Sequence, residues 1–289
     1  EHFHTWNGIK IPLPLQQARV VYWFFEGFTE YYANLFMLRL GIFSFKDYVD
    51  RYNTTLYNYF TSPVKNAPNL QVIAEYHANK NLHIDKLPYY RGEILAHNWN
   101  TKIKKETNLK YSLDDVMRDL FDESQENEAT TSAPLIRKLI QKYLPEELDD
   151  EIQKYVEEGE TILPNKDALG TCCSLTWKKM NNFDHGFDRQ KSRKEGIIFG
   201  VKENSEAFKA GLRDRQKFIE MSDPDIFKIY TTKLSKIKVK DFDGLIKTIV
   251  YYPVGDKEFN VPQYIFDQEK LDKNKEECLR WFEIKGEEG

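Results

Sequence analysis

The chain has 289 residues, room for about two domains of ~100–200 residues each and for a sizeable core. Aromatic residues make up 14% of it, with 19 Phe and 17 Tyr, which argues against disorder. With 42 basic against 46 acidic residues the net charge is −4, so the strongly basic balance expected of a nucleic-acid partner is missing.

Residues 1 to about 160 read as helices. The run from Arg19 to Leu40 has few breakers and ends at Gly41. Ser44 is placed to cap a second helix from Phe45 to Phe60, closed by Ser62-Pro63. In it Phe45, Tyr48, Val49, Tyr52, Leu56 and Tyr59 recur at helical spacing. A polar stretch over 62–88 reads as a loop, and Gly92 to Lys105 resumes as helix. Ser112 with Asp115 resembles a capping box opening Leu113 to Phe121. The segments Pro134 to Tyr143 and Glu146 to Glu157 give two more helices. After Pro164 the character changes. Gly196 to Val201 reads as a strand and Ser205 to Leu212 as a short helix. Further strands are expected at Lys217 to Met221, Phe227 to Thr231, Thr248 to Tyr252 and Tyr264 to Phe266, and a terminal helix over Lys270 to Phe282.

No apolar run reaches the ~20 residues that span a bilayer; Val20 to Phe25 stops at Glu26. Cys172, Cys173 and Cys278 form neither a disulfide framework nor a CxxC spacing, so Cys172 and Cys173 are expected as free thiols. A cytoplasmic location is favoured over a periplasmic one.

The chemistry concentrates near the start. Glu1-His2-Phe3-His4 matches the last four positions of His-Glu-x-x-His, in which two histidines four apart on one helix face share a zinc ion. Glu1 would be the glutamate that takes a proton from the zinc-activated water, and His4 the second ligand. A catalytic zinc keeps three protein ligands and one open position. Glu26, 22 positions after His4 on the next helix, is the candidate from another element. The remaining ligand, a histidine before residue 1, is absent from the chain. His77, His83 and His97 lack paired ligand spacing and read as structural or surface residues. Glu30, one turn beyond Glu26, is either a hydrogen-bond partner of a ligand histidine or part of a solvated face.

Taken alone, Glu-x-x-His is a weak signal. Its neighbours are specific: Trp6-Asn7, then Trp23-Phe24-Phe25-Glu26-Gly27-Phe28-Thr29. Together they resemble the glycyl aminopeptidase family of zinc metallopeptidases, relatives of the aminopeptidase N type. Pro88-Tyr89-Tyr90-Arg91-Gly92 resembles the family's Tyr-x-Lys-Gly segment, whose tyrosine hydroxyl steadies an oxyanion. Tyr89 takes that place, with Tyr90 its nearest competitor. Segments at 112–118 and 155–164 also resemble the family. Three features depart from it: the His4–Glu26 gap is short, Arg91 stands where lysine is usual, and the basic pair after Trp-Asn is reduced to Lys10.

The family often carries a C-terminal PDZ domain, and Gly196 to Leu212 resembles its first strand and helix, although Arg215-Gln216 replaces the usual Gly-Asp turn. The resemblance implies an α+β architecture. Residues 1–165 would be the mainly helical C-terminal part of a thermolysin/aminopeptidase-like catalytic domain. Residues 166–195 would be a linker, 196–268 a PDZ-like domain, and 269–289 a terminal helix or tail.

The implied activity is zinc-dependent removal of N-terminal residues, Gly or Ala, with Glu1 and Tyr89 catalytic and His4 and Glu26 on Zn2+. Lacking the first histidine, the chain is expected to be a C-terminal part of that enzyme, to hold zinc weakly or not at all, and to be inactive. The alternative is a non-catalytic peptide-binding fragment or pseudoenzyme with a PDZ-like module. Expected partners are a peptide substrate and a peptide or chain terminus at the PDZ-like domain, with no nucleic acid and no membrane span. Tyr22, Trp23 and Phe24 are expected to line an exposed helical face through which copies self-associate.

Overall fold

The computed structural model describes residues 5–6, 9–10, 19–76, 82–126, 131–144, 151–222 and 232–284. It divides into two compact units, Glu1–Thr176 with Pro262–Gly289, and Trp177–Val261.

The first unit is helical. Two short strands, β1 (Thr5–Trp6) and β2 (Ile9–Lys10), pair as a hairpin. After a 3-10 turn at Arg19–Val21 comes α1 (Tyr22–Arg39). Gly41, at φ 69°, ends it, and the amide of Ile42 donates back to the Met37 carbonyl at 2.9 Å. That left-handed stop is cheap only for glycine. Helix α2 (Phe45–Thr61) starts on a complete capping box: the Asp47 amide donates to Ser44 Oγ at 3.1 Å and the Ser44 amide to Asp47 Oδ2 at 3.0 Å. Such a cap contributes ~1 kcal/mol. Helices α3 (Asn69–Glu75) and α4 (Leu82–Glu106) follow. Both begin inside the stretch expected as a loop, and α4 carries Pro88 within it. Helices α5 (Leu113–Glu126) and α6 (Ala133–Gln141) precede a π-helical turn at Ile152–Glu157.

The core of this unit is aromatic. Trp23 and Phe28 of α1 meet Trp99 of α4 edge-on, each with ring centroids 5.8 Å apart. From α2, Tyr52 stacks on His97 at 3.8 Å. Edge-to-face and offset pairs of this kind add ~0.5–1.5 kcal/mol each beyond burial. Trp23 and Phe24 are fully buried, which corrects the expectation that they line an exposed face. Trp99 of α4 packs edge-on against Trp23.

Where α1 crosses α4, both helices present glycine. A Cβ on Gly27 would sit 2.2 Å from Gly92 Cα, and one on Gly92 would sit 1.7 Å from the Trp23 carbonyl oxygen. The two backbones are in contact, and no side chain fits between them.

The second unit is built on strands β3 (Cys173–Phe183), β4 (Lys217–Ser222), β5 (Ser235–Lys240), β6 (Ile246–Tyr251) and β7 (Val254–Phe266). Strands β4, β5 and β6 form an antiparallel meander, with Ile237 opposite Ile249 and Met221. Along β5, Ser235, Ile237 and Val239 are buried while Lys236, Lys238 and Lys240 face solvent, the period-2 alternation of a half-buried strand. Helices α7 (Arg189–Glu195) and α8 (Glu206–Lys209) complete the unit. Its core gathers Ile198, Ala207, Leu212, Ile237, Val239 and Ile249. Ser205 caps α8, accepting from the Phe208 amide at 3.2 Å. Arg215 sits at φ 69°, so the place where glycine was expected is indeed a left-handed turn.

Strands β3 and β7 pair with each other, and the chain passes between the units once within each. These boundaries differ from the expected ones. Residues 166–195 hold β3 and α7 and are not a linker, and residues 262–289 return to the first unit. Gly196 to Val201 forms no strand, only an isolated bridge from Ile197 to Lys217. The expected terminal helix is two short ones, α9 (Gln268–Lys273) and α10 (Lys275–Trp281), meeting at Asn274. The strand expected at Phe227 to Thr231 lies outside the described residues. Cys172, expected as a free thiol, is paired with Cys278, while Cys173 is free and buried. Their 106-residue separation hid that proximity in the sequence. No described helix is long and apolar enough to cross a membrane.

Candidate active site

The glycine crossing sets the site. Glu26 immediately precedes Gly27, and Tyr89 lies one helical turn before Gly92. Backbone contact at the glycines therefore draws the two side chains together. The Tyr89 hydroxyl donates to the Glu26 carboxylate, and so does the hydroxyl of Tyr76, just past the end of α3. The single Tyr76 proton is shared between Glu26 and the Tyr89 oxygen, which accepts from it.

Glu26 is half-buried, and burial raises its pKa above the usual carboxylate value. The Tyr89 bond, the positive charge of Lys86 and the Tyr76 bond oppose that rise, while Glu30 adds to it. Lys86, one turn before Tyr89 on α4, places its ammonium 4.5 Å from the Tyr89 ring centroid. Burial, then the Glu26 charge, pushes the Tyr89 phenol well above its ordinary value. Tyr89 thus keeps its proton throughout the physiological range and is a hydrogen-bond donor there.

Sequence reasoning missed two members of this cluster. Lys86 carried a usable signal, three residues before Tyr89 and so on the same face of a helix. Tyr76 carried none: it arrives from another element and packs edge-on against Tyr22 at 4.9 Å. His83, at the start of α4, has its pKa lowered by desolvation. His97 is fully enclosed by Tyr31 and Tyr52 and pushed down to about 3, a neutral core residue.

Arg91 accounts for its own departure from lysine. It is buried, and its guanidinium donates to the carbonyls of Ala67 at 2.7 Å, Lys65 at 3.2 Å and Val156 at 3.4 Å. Three acceptors around one planar fork suit arginine better than a lysine ammonium. The residue ties the turn before α3 and the π-helical turn to α4.

Glu1 and His4 lie outside the described residues, and among the described residues no three His, Cys, Asp or Glu converge on one point. What is described fits one ligand of a zinc site. Glu26 offers a half-buried carboxylate, hydrogen-bonded by tyrosines and open to a stronger cationic partner than Lys86.

Residues 1–95 match the M61 glycyl aminopeptidase family. No curated protein matches the chain. The crystal structure of an aminopeptidase N family protein from Idiomarina loihiensis is similar in fold, with a TM-score of 0.52 at 14% sequence identity. The match covers 91% of this chain and 48% of that one, so the chain spans about half the length of its structural relative. The segment matched to that family holds Glu26, Tyr89 and the Gly27–Gly92 crossing.

Proposed function

We propose that the protein is a zinc-dependent aminopeptidase that releases small N-terminal residues, Gly or Ala, from peptides. The observation that carries this reading is the Tyr89 hydroxyl held on the Glu26 carboxylate across the glycine crossing. It joins a ligand-type carboxylate to a protonated donor within one cluster.

Glu26 and His4 would hold the metal. Zinc, when bound, supplies Lewis-acid polarisation and a water acidified toward neutrality. With the Glu26 carboxylate taken up by the metal, Tyr89 would turn its one hydroxyl proton from Glu26 to the oxygen that becomes negative as the peptide carbonyl turns tetrahedral. Its raised pKa suits that role, because the group donates without ionising. Glu1 takes the proton of the attacking water and returns it to the leaving amine. Tyr76 keeps Glu26 and Tyr89 oriented by bonding both. The preference for Gly or Ala rests on the family match. The second unit is read as a PDZ-like module whose ligand would be a peptide or chain terminus. The Ser205-capped α8, packed into the same core as the three-stranded sheet, supports that reading.

Zinc content and hydrolysis of Gly-, Ala- and Leu-p-nitroanilide by the full-length protein test the proposal. One zinc per chain, with the Gly and Ala substrates cleaved faster than Leu, is the expected result. Bound zinc without cleavage of any amino-terminal anilide would defeat the aminopeptidase reading.

A further inference from the structure

The C-terminal helices α9 and α10 are six and seven residues long, too short to be stable alone. Helix α9 buries no residue, and α10 buries only Cys278. The anchors beyond Cys278 cluster at the end of α10. Trp281 Nε1 donates to the Ala168 carbonyl at 3.1 Å. The Phe282 ring meets Phe45 and Tyr48 edge-on at 5.0 and 5.3 Å. The Phe282 carbonyl accepts from Arg39 Nε at 2.9 Å, and Glu283 pairs with Arg39 at 3.2 Å and Lys104 at 3.1 Å. The segment thus reaches α1, α2 and α4 at once.

Cys278 lies at the start of this contact run. It and Cys172 are each 1% exposed, with Cα atoms 6.0 Å apart, inside the range that a disulfide bridges without backbone movement. We propose that the Cys172–Cys278 bond is a redox clasp that fastens the C-terminal helices over the helical unit and closes in an oxidising compartment. In closing, two thiols lose two protons and two electrons to a small-molecule disulfide such as oxidised glutathione, which leaves as two thiols. A dithiol reverses the exchange. The bond shuts a loop of about a hundred residues, so its effect on the unfolded chain is large. The neighbouring Cys173 does not compete. It is buried beside Asp267, and burial pushes its thiol up to about 12, so little thiolate is available for exchange. Bonds of this kind persist outside the reducing cytosol, so the clasp fits an oxidising compartment better than the cytoplasmic one expected.

The full chain, equilibrated with a reduced/oxidised glutathione couple and then denatured without reductant, should titrate one thiol, and three after dithiothreitol. Cys173→Ser should titrate none before reduction, and Cys278→Ser two. Reduction of the wild-type protein should lower its apparent Tm by several degrees and speed proteolytic cleavage within 268–284. Three reactive thiols after equilibration would overturn the proposal. So would a bond whose reduction leaves both the Tm and the cleavage rate unchanged, and that readout does not depend on any variant folding.

Discussion

Glu93 is a carboxyl group fully enclosed in protein. Thr55 Oγ1 donates to one oxygen at 2.6 Å and Asn34 Nδ2 to the other at 3.1 Å, while Arg51 Nε donates to Asn34 Oδ1 at 3.3 Å. Burial pushes its pKa up to about 8 from 4.5. The folded protein therefore holds this proton more tightly than the unfolded chain does. The stability it contributes is complete below the unfolded value and is lost as pH rises through 8. His97 acts only on the acid side, where its depressed pKa disfavours folding below 6.5. Between pH 6.5 and 8.5 the Glu93 slope should thus stand clear, costing on the order of 2 kcal/mol. Glu93→Gln copies the neutral acid and should remove that slope in urea unfolding; a variant as pH-sensitive as wild type would show that Glu93 does not titrate there. None of this was visible in the sequence, where Glu93 is one acidic residue on a helix. Glu26 and Tyr89, by contrast, stand out because each sits in a short segment of specific composition, and the structure brings the two side chains together. Tyr76 does not, because its role depends on a fold that brings a separate element to Glu26.

At the scale of elements, the sequence pattern located most helices of the first unit, since apolar residues at helical spacing and Ser caps at 44 and 112 are local signals. It missed α3 and the early start of α4, where Asn, His and Lys residues and Pro88 imitate a loop. It also read Ile197 and Ile198 as strand, although Ile198 is apolar because it feeds a core and Ile197 makes only an isolated bridge. The crossing of α1 and α4 is the element-scale feature on which the proposed function depends most. The obstruction to a side chain at Gly92 is a backbone carbonyl, which no rotamer change relieves. Gly92→Ala should cost about 3 kcal/mol or more in urea unfolding, at or beyond the upper end of ordinary overpacking. Because the helices must separate to admit the methyl group, it should also reduce activity in whatever fraction stays folded. A loss below about 1 kcal/mol would mean that the crossing is looser than described.

Across the whole molecule, the chain leaves the first unit at Thr176 and rejoins it at Pro262. Asn53 of α2 secures the return like a strand partner: its Oδ1 accepts from the Tyr264 amide at 2.7 Å and its Nδ2 donates to the Tyr264 carbonyl at 2.8 Å. Such a contact, across 211 positions, has no local signature, which is why the sequence suggested a simple succession of domain, linker, domain and tail. The functional account rests on a smaller piece, the Glu26–Tyr89 pair and the role given to the Tyr89 hydroxyl. The most direct measurement is kcat and KM of Tyr89→Phe in the full-length, zinc-loaded protein on glycine p-nitroanilide, with zinc content determined alongside. Losing one oxyanion donor should lower kcat by about 10²–10³-fold with KM and zinc content little changed. A Tyr89→Phe protein that keeps wild-type kcat with its zinc in place would contradict the account.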